Sequence, residues 1–442
     1  MNKLLVMFVC LLLAGCGGSD SADDDIAGNI AECSRSDLNS QVYCKLYADY
    51  LWYDELKTGV DPLAFSTPSA YLSQVIADRD RYSFIITEQQ YQDRYINAVF
   101  FGYGFATQRT NDNTALQVLY VYDGGSAAQR GLRRADKITE IDGISVAEWL
   151  ARLDAGTATN EDIYGPNEAG VVRRFVWRKP DNRQLQADFV KSTVTTNTVL
   201  HRSVAQLGNK TVGYLVFNTF IELSEVELEQ AFSFFAGQNI DELVLDLRYN
   251  GGGLIRVANQ LSSHIALPKL QGNIFVKYRY NDKNTRKNST VAFALGAGRT
   301  ALNLPRVFVL TTAGSCSSSE LVINALSPFI DVVQIGETTC GKPVGQVPDQ
   351  VGDYRLFAIN FQTVNALDFG GYFDGLSPNC PVNAVVAGDW GVSQDPLYAE
   401  ALAYISNGRC SAVALSGQSL QQQAIQQVSP RAQPQWLQYN EQ

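Results

Sequence analysis

The chain has 442 residues, of which 45% are hydrophobic, so it is long enough to bury more than one core. Its formal net charge of −10 argues against a nucleic-acid partner, because a phosphate backbone requires a basic stripe and the Lys and Arg residues are scattered. We therefore expect a multidomain globular protein that binds no nucleic acid.

The N-terminus has the features of an export signal. Met-Asn-Lys precedes an apolar segment from Leu4 to Leu13, which is far shorter than the ~20 residues that span a bilayer. An ordinary cleaved signal would end near Ala14. The whole of Leu13-Ala14-Gly15-Cys16, however, is similar to a bacterial lipoprotein cleavage box, in which Cys16 becomes the lipidated first residue of the mature chain.

This resemblance implies a signal peptide over residues 1–15 and a lipidated tether over residues 16–35, rich in Gly, Ser and Asp. It also implies a protein held in the bacterial cell envelope by its lipid and facing the periplasm. Gly17 after the lipidated cysteine favours the outer membrane over the inner one.

Six cysteines remain once Cys10 leaves with the signal and Cys16 carries lipid. An even set in an oxidising compartment suggests disulfides, with buried free thiols as the alternative. A zinc site is not favoured, because there is no C-x2-C spacing and the chain has only two histidines, so we expect no metal and no cofactor. Proximity along the chain favours the pairs Cys33–Cys44, Cys316–Cys340 and Cys380–Cys410.

Residues 36–97 are predicted to form a small N-terminal helical module. Two segments, Ser36 to Tyr53 and Thr67 to Asp78, carry apolar residues at helical spacing, and Asp-Pro and Thr-Pro turn signals separate them.

Residues 98–192 are predicted to form a β domain with short strands and Gly-rich turns. The loop Gly102, Tyr103, Gly104 and Phe105 resembles the carboxylate-binding loop of a PDZ domain, and Gly124 to Gly143 resembles the helix, turn and strand that follow it. A glycine pair alone is more often a β-bulge, so the second segment carries the resemblance. It implies that loop N–H groups bind a terminal carboxylate and that the strand edge accepts an extended peptide.

Residues 193–411 alternate β-branched apolar runs with helical patterns. This alternation predicts a largely parallel sheet covered on both faces, so the fold class is α/β with several domains. The Gln-rich tail over residues 412–442 has few aliphatic residues and is predicted to be disordered.

A serine cluster from Gly314 to Glu320 follows an apolar strand and opens a predicted helix. Reactive groups gather at the carboxyl ends of α/β strands, but any of these serines could instead be an N-cap. A nucleophilic serine needs a base, and neither His201 nor His264 lies in a loop after an obvious core strand. Lys342, among uncharged neighbours, is the other candidate, provided that burial keeps its amine neutral.

Three segments together resemble the S41 peptidases of the C-terminal processing, or tail-specific, type. The first is Ser315-Cys316-Ser317-Ser318-Ser319-Glu320. The second is Thr339-Cys340-Gly341-Lys342, whose lysine follows Ser317 by 25 residues, with Gln346 four residues later. The third is Asp246-Leu247-Arg248-Tyr249-Asn250-Gly251-Gly252-Gly253.

The family resemblance implies a role for each of these residues. Ser317 would be the nucleophile, Lys342 the base and Gln346 the partner that holds the lysine. The N–H groups of Gly253 and Ser318 would form the oxyanion hole. Arg248 and Glu320 would organise the site, and the core would be similar to the ClpP and crotonase folds.

The expected function is that of a serine endopeptidase with a Ser/Lys dyad, acting on unfolded or tail-exposed exported proteins captured by their C-terminal tails. A catalytically silent peptide- or ligand-binding lipoprotein is the alternative, and an esterase is less favoured because there is no G-x-S-x-G elbow. Cys340 replaces the aromatic residue common in the family, which suggests a Cys316–Cys340 staple between nucleophile and lysine. The oligomeric state stays open.

Overall fold

A computed structural model describes residues 36–97, 99–412 and 440–441. The predicted signal peptide, the tether with Cys16, and Cys33 of the predicted Cys33–Cys44 pair lie outside the described residues. Among the helices in these ranges, none combines the length and the apolar character needed to cross a membrane.

The N-terminal module opens with helices α1 (Leu38–Asp49) and α2 (Pro68–Val75), as the sequence predicts. Asp37 caps α1 by accepting the Ser40 N–H, and Thr67 caps α2 by accepting the Ala70 N–H. Short 3₁₀ turns, Tyr53–Glu55 and Pro62–Ala64, connect them.

This module is not purely helical and does not stand apart from the rest of the chain. Strand β1 (Phe84–Thr87) pairs antiparallel with residues 354–357, and the buried helical residues share one core with residues 344–359. Helix α3 (Glu88–Tyr91) and a π-helical turn (Gln92–Ile96) follow. The expectation of a helical module is corrected in this respect, because strand pairing with a distant segment leaves no trace in local periodicity.

The β domain carries one sheet in the order β22-β3-β4-β5-β7-β8, with β6 beside β5. Its own strands are β3 (Phe105–Arg109), β4 (Leu116–Val121), β5 (Lys137–Ile141), β6 (Ile144–Ser145), β7 (Val172–Arg178) and β8 (Gln184–Val190). Its helices are α4 (Ser126–Gln129), α5 (Val146–Asp154) and α6 (Asn160–Tyr164). They pack over an aromatic core that includes Tyr103, Phe105, Phe175, Trp177 and Phe189.

Two further strands form a ribbon in this domain: β2 (Val99–Gly102) pairs antiparallel with β9 (Ser192–Thr195). Strand β9 extends three residues beyond the predicted boundary at 192. The remaining strand, β22 (Asn440–Glu441), belongs to the C-terminal tail and pairs with β3. At these two residues the expectation of a disordered tail is wrong. Backbone pairing uses N–H and C=O groups that every sequence carries, so composition did not reveal it.

The core over residues 193–411 contains a six-stranded sheet in the order β10-β11-β12-β15-β16-β21. Strand β10 (Val199–Leu207) is antiparallel to β11 (Lys210–Phe217). The pairs from β11 through β12 (Glu242–Asp246), β15 (Arg306–Thr311), β16 (Asp331–Gly336) and β21 (Cys380–Pro381) are all parallel. This confirms the predicted largely parallel sheet.

Helices cover both faces of this sheet. On one face, α7 (Ser224–Gly237), α8 (Ile255–Leu270) and α9 (Ser318–Leu326) bury Leu215 and its neighbours. On the other, α10 (Pro396–Asn407) packs on Tyr214, because successive residues of a strand point to opposite faces.

A second, antiparallel sheet has the order β14-β13-β20-β17. It consists of β13 (Ile274–Tyr280), β14 (Ser289–Ala292), β17 (Val344–Gln346) and β20 (Ile359–Val364), with a 3₁₀ segment Asp282–Lys287 between the first two. Strands β18 (Asp349–Val351) and β19 (Tyr354–Phe357) form a three-stranded sheet with β1. Strand β17 matters for the site because it follows Lys342 and ends at Gln346.

Candidate active site

The four serines of the cluster have different surroundings. The hydroxyls of Ser315, Ser318 and Ser319 donate to the carbonyl oxygens of Leu247, Gly253 and Asn250, at 2.8, 2.7 and 2.8 Å. All three are buried, whereas Ser317 is only half-buried. Three hydroxyls therefore tie the cluster to the glycine-containing loop after β12, and Ser317 is the one that reaches the surface.

Ser317 has an unusual backbone at the start of α9. Its φ of 56° and ψ of −111° lie outside the regions that non-glycine residues ordinarily occupy. Such conformations cost on the order of 1–3 kcal/mol each. They persist only where the surrounding structure enforces them, and they cluster at functional sites. The sharp turn from strand to helix presents the side chain of Ser317 at the carboxyl edge of the parallel sheet.

The glycine run after β12 lies directly against this turn. A Cβ atom on Gly252 would lie 2.7 Å from Ser317 Cβ, and one on Gly253 would lie 2.2 Å from the carbonyl oxygen of Phe220. Gly253 also has a φ of +136°. Only glycine therefore allows the two loops to approach this closely.

The predicted oxyanion donors lie beside each other. Ser318 Oγ donates to the Gly253 carbonyl at 2.7 Å, which brings the two residues together. Within the part of the chain that the structure describes, neither the Gly253 nor the Ser318 N–H is donated to another residue. Both are therefore available to a substrate oxygen.

Glu320 connects the nucleophile turn to the lysine segment. Its Oε2 accepts the N–H groups of Ser317 and Lys342 at 2.9 and 2.8 Å. Its Oε1 accepts the Gly341 N–H at 2.8 Å and the Thr339 hydroxyl at 2.5 Å. Burial raises the pKa of Glu320, and these hydrogen bonds oppose that rise. The carboxylate thus ties the turn at Ser317 to the segment that carries Lys342.

Lys342 is buried, with 7% of its surface exposed. Burial lowers its pKa to about 8, although the negative charges of Asp80 and Glu320 act in the opposite direction. About one tenth of its amine is therefore neutral at pH 7, far more than for an ordinary lysine, and a base must be neutral to accept a proton.

Gln346 fixes the position of the lysine amine. Lys342 Nζ donates to Gln346 Oε1 at 2.8 Å. The amide nitrogen of Gln346 donates to the carbonyls of Tyr82 and Phe357, at 2.7 and 2.9 Å. Since both amide hydrogens are engaged, the oxygen must face the lysine. No hydrogen bond joins Lys342 Nζ to Ser317 Oγ among the described residues, so the dyad itself is not closed here.

Two of the predicted disulfides are present. Cys316 and Cys340 are bonded, with a Cα–Cα distance of 5.2 Å, and so are Cys380 and Cys410, at 5.5 Å. The first joins the residue before Ser317 to the lysine segment, where the Cys340 N–H also donates to the Ser315 carbonyl. It is the predicted staple.

Arg248 lies beneath the site, fully buried between two carboxylates. Its Nε donates to Asp246 at 2.9 Å, and its Nη1 and Nη2 donate to Asp395 at 2.7 and 3.0 Å. Burial acts to raise the pKa of Asp395, but Arg248 outweighs it and holds the pKa below its ordinary value. Arg134 of the β domain reaches the same carboxylate at 3.2 Å, so the ion cluster also joins the two domains.

The two histidines lie elsewhere. His264 is inside α8, where its ring stacks on Phe232 and contacts the Thr300 carbonyl. His201 lies on β10 and contacts Ser203. Neither has a hydrogen bond to the serine cluster among the described residues.

A cavity of about 790 Å³ separates the β domain from the core. On one side it is lined by β3 and α5, including Thr107, Trp149 and Leu153, and on the other by the loop Thr312 to Gly314 that leads to Ser317. The predicted carboxylate loop, Gly102 to Phe105, joins β2 to β3 and so lies at one end of the β3 edge.

Sequence reasoning missed three residues that contribute to the site: Asp80, Tyr82 and Asp395. The Tyr82 hydroxyl donates to the Gly341 carbonyl at 2.8 Å, and its ring lies 5.3 Å from the ammonium of Lys342. Both Asp80 and Tyr82 come from the N-terminal module, more than 250 residues away in the chain. No local pattern links such segments.

The chain is similar to known proteins in sequence and in fold. Residues 211–381 match the model of peptidase family S41, and residues 37–84 match that of the peptidase S41 N-terminal domain. The carboxy-terminal processing protease CtpA of Bacillus subtilis (strain 168) is 24% identical over 329 residues, covering 72% of this chain and 63% of CtpA. CtpB of the same organism is 28% identical over 227 residues, covering 51% and 44%.

The aligned region spans less than two thirds of the length of either relative. A crystal structure of a Bacteroides fragilis NCTC 9343 protein assigned to the S41 proteases superimposes with a TM-score of 0.67 at 25% identity, covering 83% of this chain and 97% of that one. The chain is therefore similar to peptidase family S41, of the carboxy-terminal processing type, over residues 37–84 and 211–381.

Proposed function

We propose that the protein is a serine endopeptidase that works with a Ser317/Lys342 dyad. The observation that carries the proposal is the arrangement around Glu320, which accepts the N–H groups of Ser317 and Lys342 on one oxygen. It joins a half-exposed serine in a strained turn to a buried lysine with a lowered pKa.

In this mechanism neutral Lys342 takes the proton from Ser317 Oγ as the oxygen attacks the substrate carbonyl. The Gly253 and Ser318 N–H groups stabilise the negative charge that develops on the carbonyl oxygen. Lysine then returns the proton to the leaving amine, and an acyl-enzyme remains on Ser317. Water, deprotonated by the same amine, hydrolyses that ester and frees the serine.

We propose further that the β domain acts as a PDZ-like receptor for the C-terminal tails of exported proteins. The cavity supports this, because the β3 edge and α5 line it on one side and the loop before Ser317 lines it on the other. A tail paired with β3 by β-augmentation would bring the substrate chain beside the catalytic edge.

The anchoring proposal rests on sequence alone. Lipid on Cys16 would hold the protein to a membrane of the bacterial envelope, with the outer membrane favoured, and leave the catalytic domains facing the periplasm. Labelling cells with a fatty-acid analogue tests it: wild type should carry label and Cys16→Ser should not. Label on both variants, or on neither, would contradict this anchor.

The activity is tested with a soluble form that begins after Cys16 and an unfolded reporter with an apolar C-terminus. Wild type should cleave the reporter, and Ser317→Ala should not, while Ser289→Ala, a change on an exposed strand, should cleave as wild type does. Equal cleavage by wild type and Ser317→Ala would refute the nucleophile. No cleavage by any of them, with retained reporter binding, would favour the silent binding protein.

A further inference from the structure

The last residues of the chain lie on the β domain. Asn440 pairs with Thr107 and Glu441 with Ala106, antiparallel, so that β22 extends the sheet at the free edge of β3. As the tail runs toward its end, its partners run from Thr107 back toward Phe105 and the loop Gly102 to Phe105.

The same edge borders the groove between β3 and α5, which forms one side of the 790 Å³ cavity. Val146, Trp149, Leu150 and Leu153 of α5 line it. An antiparallel peptide on a strand edge, with its terminus at a glycine-containing loop, is the geometry of C-terminal capture by β-augmentation.

We infer that the segment containing Asn440 and Glu441 is an intramolecular ligand of the β3 edge of its own molecule, and that it competes there with the tails of substrates. This inference rests on the proposed role of the β domain as a tail receptor. It adds a specific occupant, the segment ending in Asn440-Glu441-Gln442, and a regulatory consequence.

The chain between the core and Asn440 is long enough for this segment to bind the β domain of its own molecule. Ala412 closes the described part of the core, and 27 residues separate it from Asn440. Fully extended, a segment of that length spans up to ~90 Å. The core and the β domain are in direct contact, with Arg134 3.2 Å from Asp395, which lies at the start of α10.

The chemistry of the tail suits a displaceable occupant. Main-chain pairing with β3 does not depend on side chains, Asn440 and Glu441 are polar residues, and α5 contributes apolar residues such as Trp149 and Leu153 to the groove. The tail therefore relies on main-chain pairing and on its high effective concentration as a tethered ligand. A substrate tail with apolar end residues would gain more in the groove and displace it.

The test compares two proteins in a Ser317→Ala background, so that nothing is cleaved during binding. One carries the full C-terminus and the other ends at Ser411. The probe is a fluorescent peptide of residues 435–442 with a free carboxylate. The shortened protein should bind the probe, and the full-length protein should bind it at least tenfold more weakly. Equal affinities, or no binding to the shortened protein, would overturn the inference.

Variants in the groove locate the binding. In the shortened protein, Leu153→Asp in the groove should abolish probe binding, whereas Ala151→Asp, on the exposed face of the same helix, should leave it unchanged. Equal effects of the two changes would place the probe elsewhere. Circular dichroism of both variants confirms that each is folded.

Two further readouts separate the possible outcomes. Competition within one molecule predicts that the weaker probe binding of the full-length protein is independent of protein concentration. A concentration-dependent difference would mean exchange between molecules and contradict the inference. Cleavage by Ser317-containing protein is measured separately, so failure of the proposed peptidase activity and failure of tail capture are distinguishable.

Discussion

Ser317 and Lys342 donate their backbone N–H groups to the same carboxylate oxygen, Oε2 of Glu320, at 2.9 and 2.8 Å. The nucleophile turn and the lysine segment are thereby held at a spacing set by one buried side chain. The Cys316–Cys340 disulfide joins the same two segments a second time. The relative position of nucleophile and base is thus fixed through their backbones, while the lysine side chain is held separately by Gln346.

Glu320→Gln should reduce kcat at least 100-fold and lower the free energy of unfolding by about 2 to 3 kcal/mol, because an amide NH₂ cannot accept the N–H groups that the carboxylate oxygens accept. Steady-state kinetics and urea unfolding measure the two effects. Glu161→Gln, on an exposed surface, is the control and should change neither. Full activity in Glu320→Gln would show that this carboxylate does not position the site.

The pH dependence should report Lys342. Since only its neutral form accepts a proton, kcat/KM should rise with pH to a plateau, with a midpoint near the pKa of about 8. Gln346→Glu places a negative charge beside the ammonium, which raises the pKa of Lys342 and should move the midpoint upward by about one unit or more. A midpoint unchanged in Gln346→Glu would mean that another group controls the profile.

Lys342→Met should abolish cleavage and stabilise the fold. The folded-state pKa of about 8 lies below the ordinary value of 10.5, so the unfolded chain binds more protons between those values. Burial of the charged lysine therefore destabilises the protein fully below pH 8, and the penalty fades as pH rises toward 10.5. We expect Lys342→Met to gain about 1 to 3 kcal/mol at pH 7 and less at pH 10. Urea unfolding at the two pH values measures this, and a gain that does not shrink would contradict it.

Removal of the Cys316–Cys340 disulfide should cost stability and activity together. The bond closes a sequence separation of 24 residues, for which loop entropy predicts about 3 kcal/mol. Cys316→Ser with Cys340→Ser should lose that amount and lower kcat, because the nucleophile turn loses one of its two ties. The Cys380–Cys410 pair is the matched control: its removal should lower stability without a specific loss of kcat. Free thiols at 316 or 340 in unreduced digests would exclude the staple.

Gly253→Ala should lower kcat about 100-fold by displacing one oxyanion donor. The added Cβ would lie 2.2 Å from the Phe220 carbonyl oxygen, and the φ of +136° is strained for alanine, so the loop must move. A comparison with Gly237→Ala, where a Cβ meets nothing within 4 Å, controls for glycine replacement in general. Unchanged kcat would remove Gly253 from the oxyanion hole.

Much of the site followed from local motifs, because each motif is a continuous segment whose chemistry depends on neighbouring residues. The cluster around Ser317, the glycine run and the segment from Lys342 to Gln346 each lie after a strand of the core, where the α/β pattern predicts reactive groups. The Cys316–Cys340 pair could also be predicted from the sequence. One cysteine lies beside Ser317, and the other lies two residues before Lys342.

The class of fold, the candidate catalytic segments and their order could all be predicted from the sequence, because periodicity and turn residues act over short distances. Only the tertiary structure decided which distant segments meet. It brings Tyr82 to the lysine, Asp395 to Arg248, and the chain terminus to the edge of β3. These contacts join segments separated by more than a hundred residues, through backbone groups and buried charges whose pairing depends on the whole packed chain rather than on any local pattern.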